Sequence, residues 1–118
     1  MQRMLIVDDE PKICDCLSRF FSARGFAVRC AFTGSEAIEG LMHEAADVIL
    51  LDVRLPDMLG IEVLKRAKDL YPNAKVIMVT ALDSEEPRVE AKAYGACGYV
   101  TKPFDFSELT WAPLLADT

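Results

Sequence analysis

Short apolar segments alternate five times with helical patterns along this chain, and that alternation restricts the fold more than any other feature. The segment 76–79 is apolar throughout, as expected of a strand that is covered on both faces. Five such alternations in one chain predict an α/β fold. Right-handed crossovers favour a doubly wound, five-stranded parallel sheet in the flavodoxin-like order 2-1-3-4-5, with helices on both faces. The predicted strands are 3–7, 27–31, 48–51, 76–79 and 99–101.

Four of these segments end at polar residues that can handle a phosphoryl group. Asp8 and Asp9 follow the first strand, and Asp52 follows the third. The fourth segment stops at Thr80, and the fifth runs into Lys102. Because the C-terminal ends of parallel strands share one edge of a sheet, we expect these residues to converge in a crevice at that edge.

The predicted cluster has the chemistry of a site for a divalent cation and a phosphoryl group. Neighbouring carboxylates repel one another unless a cation binds, and Mg²⁺ prefers such hard oxygen ligands. Asp8 and Asp9 are therefore candidate metal ligands, and Asp52 is a candidate nucleophile that forms an acyl phosphate. Lys102 would neutralise a phosphoryl oxygen, and Thr80 would donate a hydrogen bond. Each residue alone is more often a cap, a strand residue or a solvated charge, but the joint pattern favours the site.

Composition and charge narrow the functional classes further. The 118 residues fit a single domain, 1–118, and the 52% hydrophobic content indicates a packed core. A net charge of −6 argues against nucleic-acid binding by this domain. No apolar run approaches the roughly 20 residues of a membrane span, and the start has no signal-peptide pattern. The sequence therefore predicts a cytoplasmic protein without membrane contact.

The four cysteines and the single histidine do not form a metal motif. Cys14 and Cys16 are two positions apart rather than the three of a C-x-x-C pair, and no histidine lies near them. We expect these two thiols, together with Cys30 and Cys97, to be reduced and mostly buried. His43 has no partner in the sequence and is assigned no function.

The strand-end residues belong to a larger set of motifs. The loop that follows Asp52 contains Pro56 and Gly60, Ala81 follows Thr80, and Pro103 follows Lys102. With these motifs the chain resembles the receiver domain of bacterial two-component response regulators, a chemotaxis-regulator-like fold. The resemblance covers the chain from Met4 to about Leu109, and the motifs together are highly specific.

The resemblance implies a phosphorelay function. Asp52 would take a phosphoryl group from the phosphohistidine of a sensor histidine kinase or a phosphotransfer protein. Asp9, Asp52 and the backbone carbonyl of Arg54 would bind Mg²⁺ directly, whereas Asp8 would act mainly through water. Arg54 and Leu82 occupy positions that flank the path of the hydrolytic water in this family, so they should modulate the lifetime of the acyl phosphate.

The resemblance also implies a conformational switch. Phosphorylation would draw Thr80 inward, and Tyr99 would follow by swinging from an outward to an inward rotamer. The face formed by the fourth helix, the fifth strand and the fifth helix would then change its binding or its homodimerisation. The Lys102–Pro103 peptide bond is expected to be cis in a receiver.

The last two helical patterns are weak. Val89, Ala91 and Ala93 carry most of the predicted burial of the fourth helix. The fifth helix is predicted over 105–112, and Pro113 should end or kink it soon after Trp111. Either this helix is short, or the chain is a fragment cut from a larger regulator.

Two other functions are open to a chain with this pattern. A phosphohydrolase with Asp52 as nucleophile would need a second acid two positions later, where Arg54 stands. A phosphorylation-independent interaction module on the same fold typically lacks one or more of the five strand-end residues. The sequence therefore favours a phosphoacceptor, which is not an enzyme except toward its own Asp52.

Overall fold

The computed structural model describes residues 2–81, 85–106 and 111, in which strands and helices alternate as predicted. The five strands are all parallel and lie in the order β2-β1-β3-β4-β5, which confirms the predicted fold class. The elements in chain order are β1 (Arg3–Val7), α1 (Pro11–Ala23), β2 (Ala27–Ala31), α2 (Gly34–His43), β3 (Val48–Leu51), α3 (Gly60–Leu70), β4 (Lys75–Thr80), α4 (Glu85–Ala93) and β5 (Gly98–Thr101).

The register of the sheet brings the C-terminal strand ends into line. Val7, the last residue of β1, pairs with Ala31 on one side and with Leu51 on the other. Thr80 pairs with Thr101 at the corresponding end of β4 and β5. The residues that follow these strands therefore emerge at one edge of the sheet.

The sheet separates two apolar layers. Alternate residues of β3 point into opposite layers. Ile49 packs with α2 and α3, and Leu50 packs with α1. All four residues of β3 are buried, as a central strand covered by helices requires. Because a fully buried Leu or Ile side chain contributes about 1.5–3 kcal/mol, burial on both faces makes these strands a rigid support for the loops that follow them.

The fourth helix is less buried than the sequence predicted. Ala91 is buried, but Val89 is 57% exposed and Ala93 is also exposed, so the predicted burial of these two residues is wrong. α4 has a low mean hydropathy because Glu85, Glu86 and other charged residues fill most of its surface. Ala91 is the residue through which α4 packs into the core.

The predicted burial of the cysteines is also wrong in part. Cys14 is buried, whereas Cys16, Cys30 and Cys97 are exposed, and all four are free thiols. On a helix, residues two positions apart point about 200° away from each other, so α1 can bury only one of Cys14 and Cys16.

The end of the chain is described only in part. Trp111 is buried against the rings of Phe21 and Phe104, and its Nε1 donates a hydrogen bond to the Asp105 carbonyl at 2.7 Å. The rest of the predicted fifth helix beyond Phe106, and Leu82, lie outside the described residues. Within the described part of the chain, no helix is both long enough and apolar enough to cross a membrane.

Candidate functional site

Two acidic side chains are buried at the C-terminal edge of the sheet. Asp8 is 2% exposed and Asp52 is 7% exposed. The backbone continues the sheet pattern at both positions: the Asp8 N–H donates to the Ala31 carbonyl at 3.1 Å, and the Asp52 N–H donates to the Val7 carbonyl at 3.0 Å. The two carboxylates are therefore anchored to adjacent strands, as the sequence predicted.

Lys102 joins the two buried carboxylates. Its Nζ lies 2.7 Å from Oδ2 of Asp8 and 3.0 Å from Oδ2 of Asp52, and it reaches Oε1 of Glu10 at 3.3 Å. Its own backbone N–H donates to the Thr80 carbonyl at 2.7 Å. This bond fixes the start of the β5 loop beside the end of β4, so the Lys102 side chain extends from one strand end across to the other two.

The protonation equilibria of the site reflect this arrangement. Burial raises the pKa of Asp8 above its usual range, although hydrogen bonds from Lys102 and from the Glu10 backbone oppose the rise. Burial also pulls down the pKa of Lys102, but its hydrogen bonds to Asp8 and Asp52 outweigh that effect and raise the pKa overall. The ammonium is thus held in its charged form between the two carboxylates.

The acidic group after β1 has the donors that a hard cation needs. Carboxylate oxygens of Asp8, Asp9 and Glu10 lie within 4.8 Å of one another. Among the described residues this group does not include Asp52, which faces Lys102 instead. Glu10 was not among the predicted residues, although its position directly after the acidic pair was a signal that could have identified it.

Two hydrogen bonds hold the loop that follows Asp52. The Gly60 N–H donates to the Val53 carbonyl at 2.6 Å, and the Arg54 N–H donates to Oδ1 of Asp52 at 3.3 Å. A Cβ atom on residue 60 would overlap the carbonyl oxygen of Asp52. Glycine at this position therefore lets the loop return to the start of α3 without displacing Asp52.

Hydrogen bonds of Asp57 join the same loop to α2, and the sequence analysis missed this residue. Its carboxylate accepts hydrogen bonds from the backbone N–H groups of Gly34 and Ser35 at 2.8 and 2.9 Å, and from the Ser35 hydroxyl at 2.7 Å. The Ser35 hydroxyl and then these backbone donors lower the pKa of Asp57. A carboxylate on the first turn of a helix also interacts favourably with the helix dipole.

Tyr99 and Thr80 lie on the α4 side of the edge. Thr80 is buried at the end of β4, and Tyr99 is half-buried in β5. The Arg88 guanidinium of α4 stands 4.4 Å from the centroid of the Tyr99 ring, and its Nη2 donates to the Thr101 hydroxyl at 2.9 Å. Arg88 was not predicted, because its role depends on how α4 packs against β5. The Lys102–Pro103 bond is cis, in agreement with the expectation from the resemblance.

Comparisons with known proteins agree with this geometry. The protein-family model of the response regulator receiver domain matches residues 4–112 of this chain. The regulatory protein AtoC of Escherichia coli is 41% identical over 109 residues, or 92% of this chain and 24% of AtoC. The probable transcriptional regulatory protein TcrX of Mycobacterium tuberculosis is 38% identical over 106 residues, or 90% of this chain and 45% of TcrX. The chain thus spans less than half the length of either relative.

The fold is also found in solved structures of this family. A CheY-like response regulator receiver domain from Methanospirillum hungatei superimposes with a TM-score of 0.86 at 37% identity, covering 89% of this chain and 84% of that one. The matched family model covers nearly the whole chain, and the TM-score shows that the chain shares the fold of that receiver. The chain therefore belongs to the response regulator receiver domain family of two-component signal transduction.

Proposed function

We propose that this chain accepts a phosphoryl group on Asp52 and catalyses only its own phosphorylation and dephosphorylation. The observation that most supports this is the Lys102 bridge between Asp52 and Asp8. The bridge fixes a cation beside a buried carboxylate at the open edge of a parallel sheet, where ligands of such sheets bind. An incoming phosphoryl group would meet the nucleophile and the compensating charge together.

In the proposed reaction, an Asp52 carboxylate oxygen attacks the phosphorus of a phosphohistidine. The O–P bond forms while the P–N bond breaks, and the imidazole nitrogen keeps the electron pair. The Lys102 ammonium offsets negative charge on one phosphoryl oxygen, and the Thr80 hydroxyl donates a hydrogen bond to another. We propose that Arg54 and Leu82 modulate the lifetime of the acyl phosphate, as the family resemblance implies.

Asp8, Asp9, Asp52 and the backbone carbonyl of Arg54 would hold Mg²⁺, with Asp8 acting mainly through water. The all-oxygen donor set and the closeness of the Asp8, Asp9 and Glu10 carboxylates fit a hard cation. When bound, Mg²⁺ supplies positive charge that reduces the repulsion between the nucleophile and the phosphoryl oxygens.

The proposed output is the face formed by α4, β5 and the fifth helix. Thr80 moves toward the phosphoryl group, and the Tyr99 ring follows into the space that Thr80 leaves. Arg88 stacks on that ring and holds Thr101, so a movement of Tyr99 changes the surface of α4. The chain would pass this change to a partner protein or to a second copy of itself.

The proposed setting follows from the family and from the charge of the chain. A sensor histidine kinase or a phosphotransfer protein supplies the phosphoryl group in the cytoplasm. The acidic surface disfavours direct nucleic-acid binding by this domain, and no membrane contact is proposed. Residues 1–118 act as a single receiver domain.

The test is labelling with a small phosphodonor. The protein is incubated with Mg²⁺ and acetyl phosphate, and we expect an acid-stable, base-labile phosphate that maps to Asp52. Asp52→Ala should abolish the label, whereas Asp69→Asn, which changes an exposed aspartate on α3, should retain it. Equal labelling of the wild type and Asp52→Ala would overturn the assignment of Asp52. Sustained turnover of several phosphate esters would favour a phosphohydrolase instead.

A further inference from the structure

Two cysteines lie together beside the acidic edge, on the α1 side of the sheet. Cys30 is on β2, an outer strand, where it pairs with Ile6 in the parallel register. Its Sγ donates a hydrogen bond to the backbone carbonyl of Cys14 at 3.9 Å, so the Cys30 side chain contacts Cys14. Cys14 is 2% exposed, whereas Cys30 is exposed. The pair therefore connects an interior thiol with one that solvent reaches.

The two thiols differ in reactivity. The thiolate is the nucleophilic form of cysteine, so a lower pKa and access to solvent favour reaction. Cys30 is exposed, whereas Cys14 is 2% exposed and its Sγ donates a hydrogen bond to the Asp8 carbonyl at 3.3 Å. Cys30 is thus the attacking thiol, and Cys14 is the thiol that resolves the oxidised product.

We propose that Cys14 and Cys30 are a redox modification site, at which a peroxide converts the two thiols into a reversible disulfide between α1 and β2. The Cys30 thiolate attacks one peroxide oxygen, the O–O bond breaks, and one water leaves after protonation. The Cys14 sulfur then attacks the sulfenic sulfur of Cys30. The S–S bond forms, the S–O bond breaks, and a second water leaves. The two thiols lose two electrons and two protons, which reduce the peroxide to water.

The position of the pair makes this bond feasible without refolding. The Cys30 sulfur already contacts the backbone of Cys14, and a disulfide of about 2.0 Å requires the two side chains to turn toward each other. Leu17 and Phe21 anchor α1 in the core, and Ile6 anchors the strand next to Cys30. Cys16 points away from Cys14 on the same helix and is exposed, so it is poorly placed to compete.

The disulfide would reach the phosphorylation site through Asp8. The Cys14 Sγ donates a hydrogen bond to the Asp8 carbonyl at 3.3 Å. A disulfide sulfur carries no hydrogen, so oxidation removes this donor from the residue that starts the acidic cluster. This coupling rests on the proposed function, and we expect it to slow the phosphorylation of Asp52 several-fold.

The Cys14–Cys30 disulfide is tested by mass spectrometry. The variant Cys16→Ser/Cys97→Ser retains only the proposed pair, and the matched control adds Cys30→Ser. After treatment with hydrogen peroxide, the first variant should lose the mass of two hydrogen atoms as a monomer, and dithiothreitol should reverse the loss. Peptide mapping should recover a Cys14–Cys30 cross-link, both in this variant and in the alkylated wild-type chain. Oxidation of Cys30 to a sulfinic acid without the cross-link would overturn the proposal.

The coupling is tested separately by acetyl phosphate labelling of oxidised and reduced protein. We expect slower labelling after oxidation, recovery with dithiothreitol, and no effect of peroxide on Cys30→Ser. Equal labelling of both forms would overturn the coupling through Asp8. Failure of the reduced protein to label would overturn the proposed function, and the cross-link map would still decide whether the disulfide forms.

Discussion

The ammonium group of Lys102 lies 3.0 Å from Oδ2 of Asp52, although fifty positions separate the two residues in the chain. Asp8 shares the same ammonium at 2.7 Å. Both carboxylates are buried, so the lysine offsets a repulsion that water does not screen. A cation that enters this site must compete with Lys102 for the same oxygens, and that competition can be measured.

Replacing Lys102 should strengthen the binding of Mg²⁺. In Lys102→Gln the carboxylates lose their internal counter-charge, and the charge that repels an incoming cation disappears. We expect the affinity for Mg²⁺ to rise about 10-fold, since removing a unit charge a few ångströms from the cation changes the binding free energy by on the order of 1.4 kcal/mol. Isothermal titration calorimetry measures the change. Lys92→Gln removes an exposed charge from α4 and should bind Mg²⁺ like the wild type; weaker binding by Lys102→Gln would contradict the expectation.

Gly60→Ala should destabilise the protein and disturb the loop that follows Asp52. The new methyl group would overlap the Asp52 carbonyl oxygen, so backbone must move on one side of the contact. We expect a loss of about 1–3 kcal/mol in the free energy of unfolding, measured with urea, and slower labelling of Asp52. Gly40→Ala is the matched control, because nothing lies within 4 Å of its added Cβ. In the middle of α2 that change should stabilise the protein by about 0.5–1 kcal/mol. Equal effects of the two changes would rule out the steric explanation.

Asp57→Asn should lower the thermal stability of the protein, by an amount that depends on pH. The folded-state pKa of Asp57 lies below its ordinary value of 3.8, because the Ser35 hydroxyl and the backbone N–H groups of Gly34 and Ser35 donate to the ionised carboxylate. The stabilisation is therefore complete above the ordinary pKa and is lost as the pH falls through the folded-state value. Thermal unfolding should give a lower Tm for the variant at about pH 7, with the difference narrowing below about pH 4. A Tm difference that is constant with pH would contradict the charge-based explanation.

Arg88→Leu should release the Tyr99 ring. The substitution removes a cation stacked at 4.4 Å from the ring centroid and a hydrogen bond to Thr101. A partly exposed cation–π contact contributes about 0.5–1 kcal/mol, so the population of the alternative ring position should rise about 2- to 5-fold. NMR exchange measurements on the Tyr99 ring test this in the unphosphorylated protein. Lys92→Gln on the same helix should leave the exchange unchanged.

The fold could be predicted because its signals are local and repeated. Each apolar run of β1, β3 and β4 is long enough to identify a buried strand, and the helical patterns between them impose the parallel topology. The burial of α4 was overestimated because the apolar positions 89, 91 and 93 are not a helical stripe. On a helix, residues two positions apart diverge, and only Ala91 faces the sheet.

The site could be predicted where it depends on strand ends, and not where it depends on contacts between loops and helices. Asp8, Asp52 and Lys102 converge because the register of the sheet aligns the ends of β1, β3 and β5. Asp57 binds the backbone of α2, and Arg88 stacks across the gap between α4 and β5. Neither contact has a spacing that the sequence reveals, since each joins residues through the tertiary arrangement of separate elements.

The only tryptophan of the chain offers a spectroscopic view of one side of the sheet. Trp111 is packed against Phe21 and Phe104 in the layer beside α1, and its indole N–H is bonded to the Asp105 carbonyl. Its fluorescence should therefore report the packing of the α1 layer, where Cys14 lies, and respond little to events at α4. A probe for the opposite layer must be introduced, and the exposed Tyr94 on that side is a natural position for it.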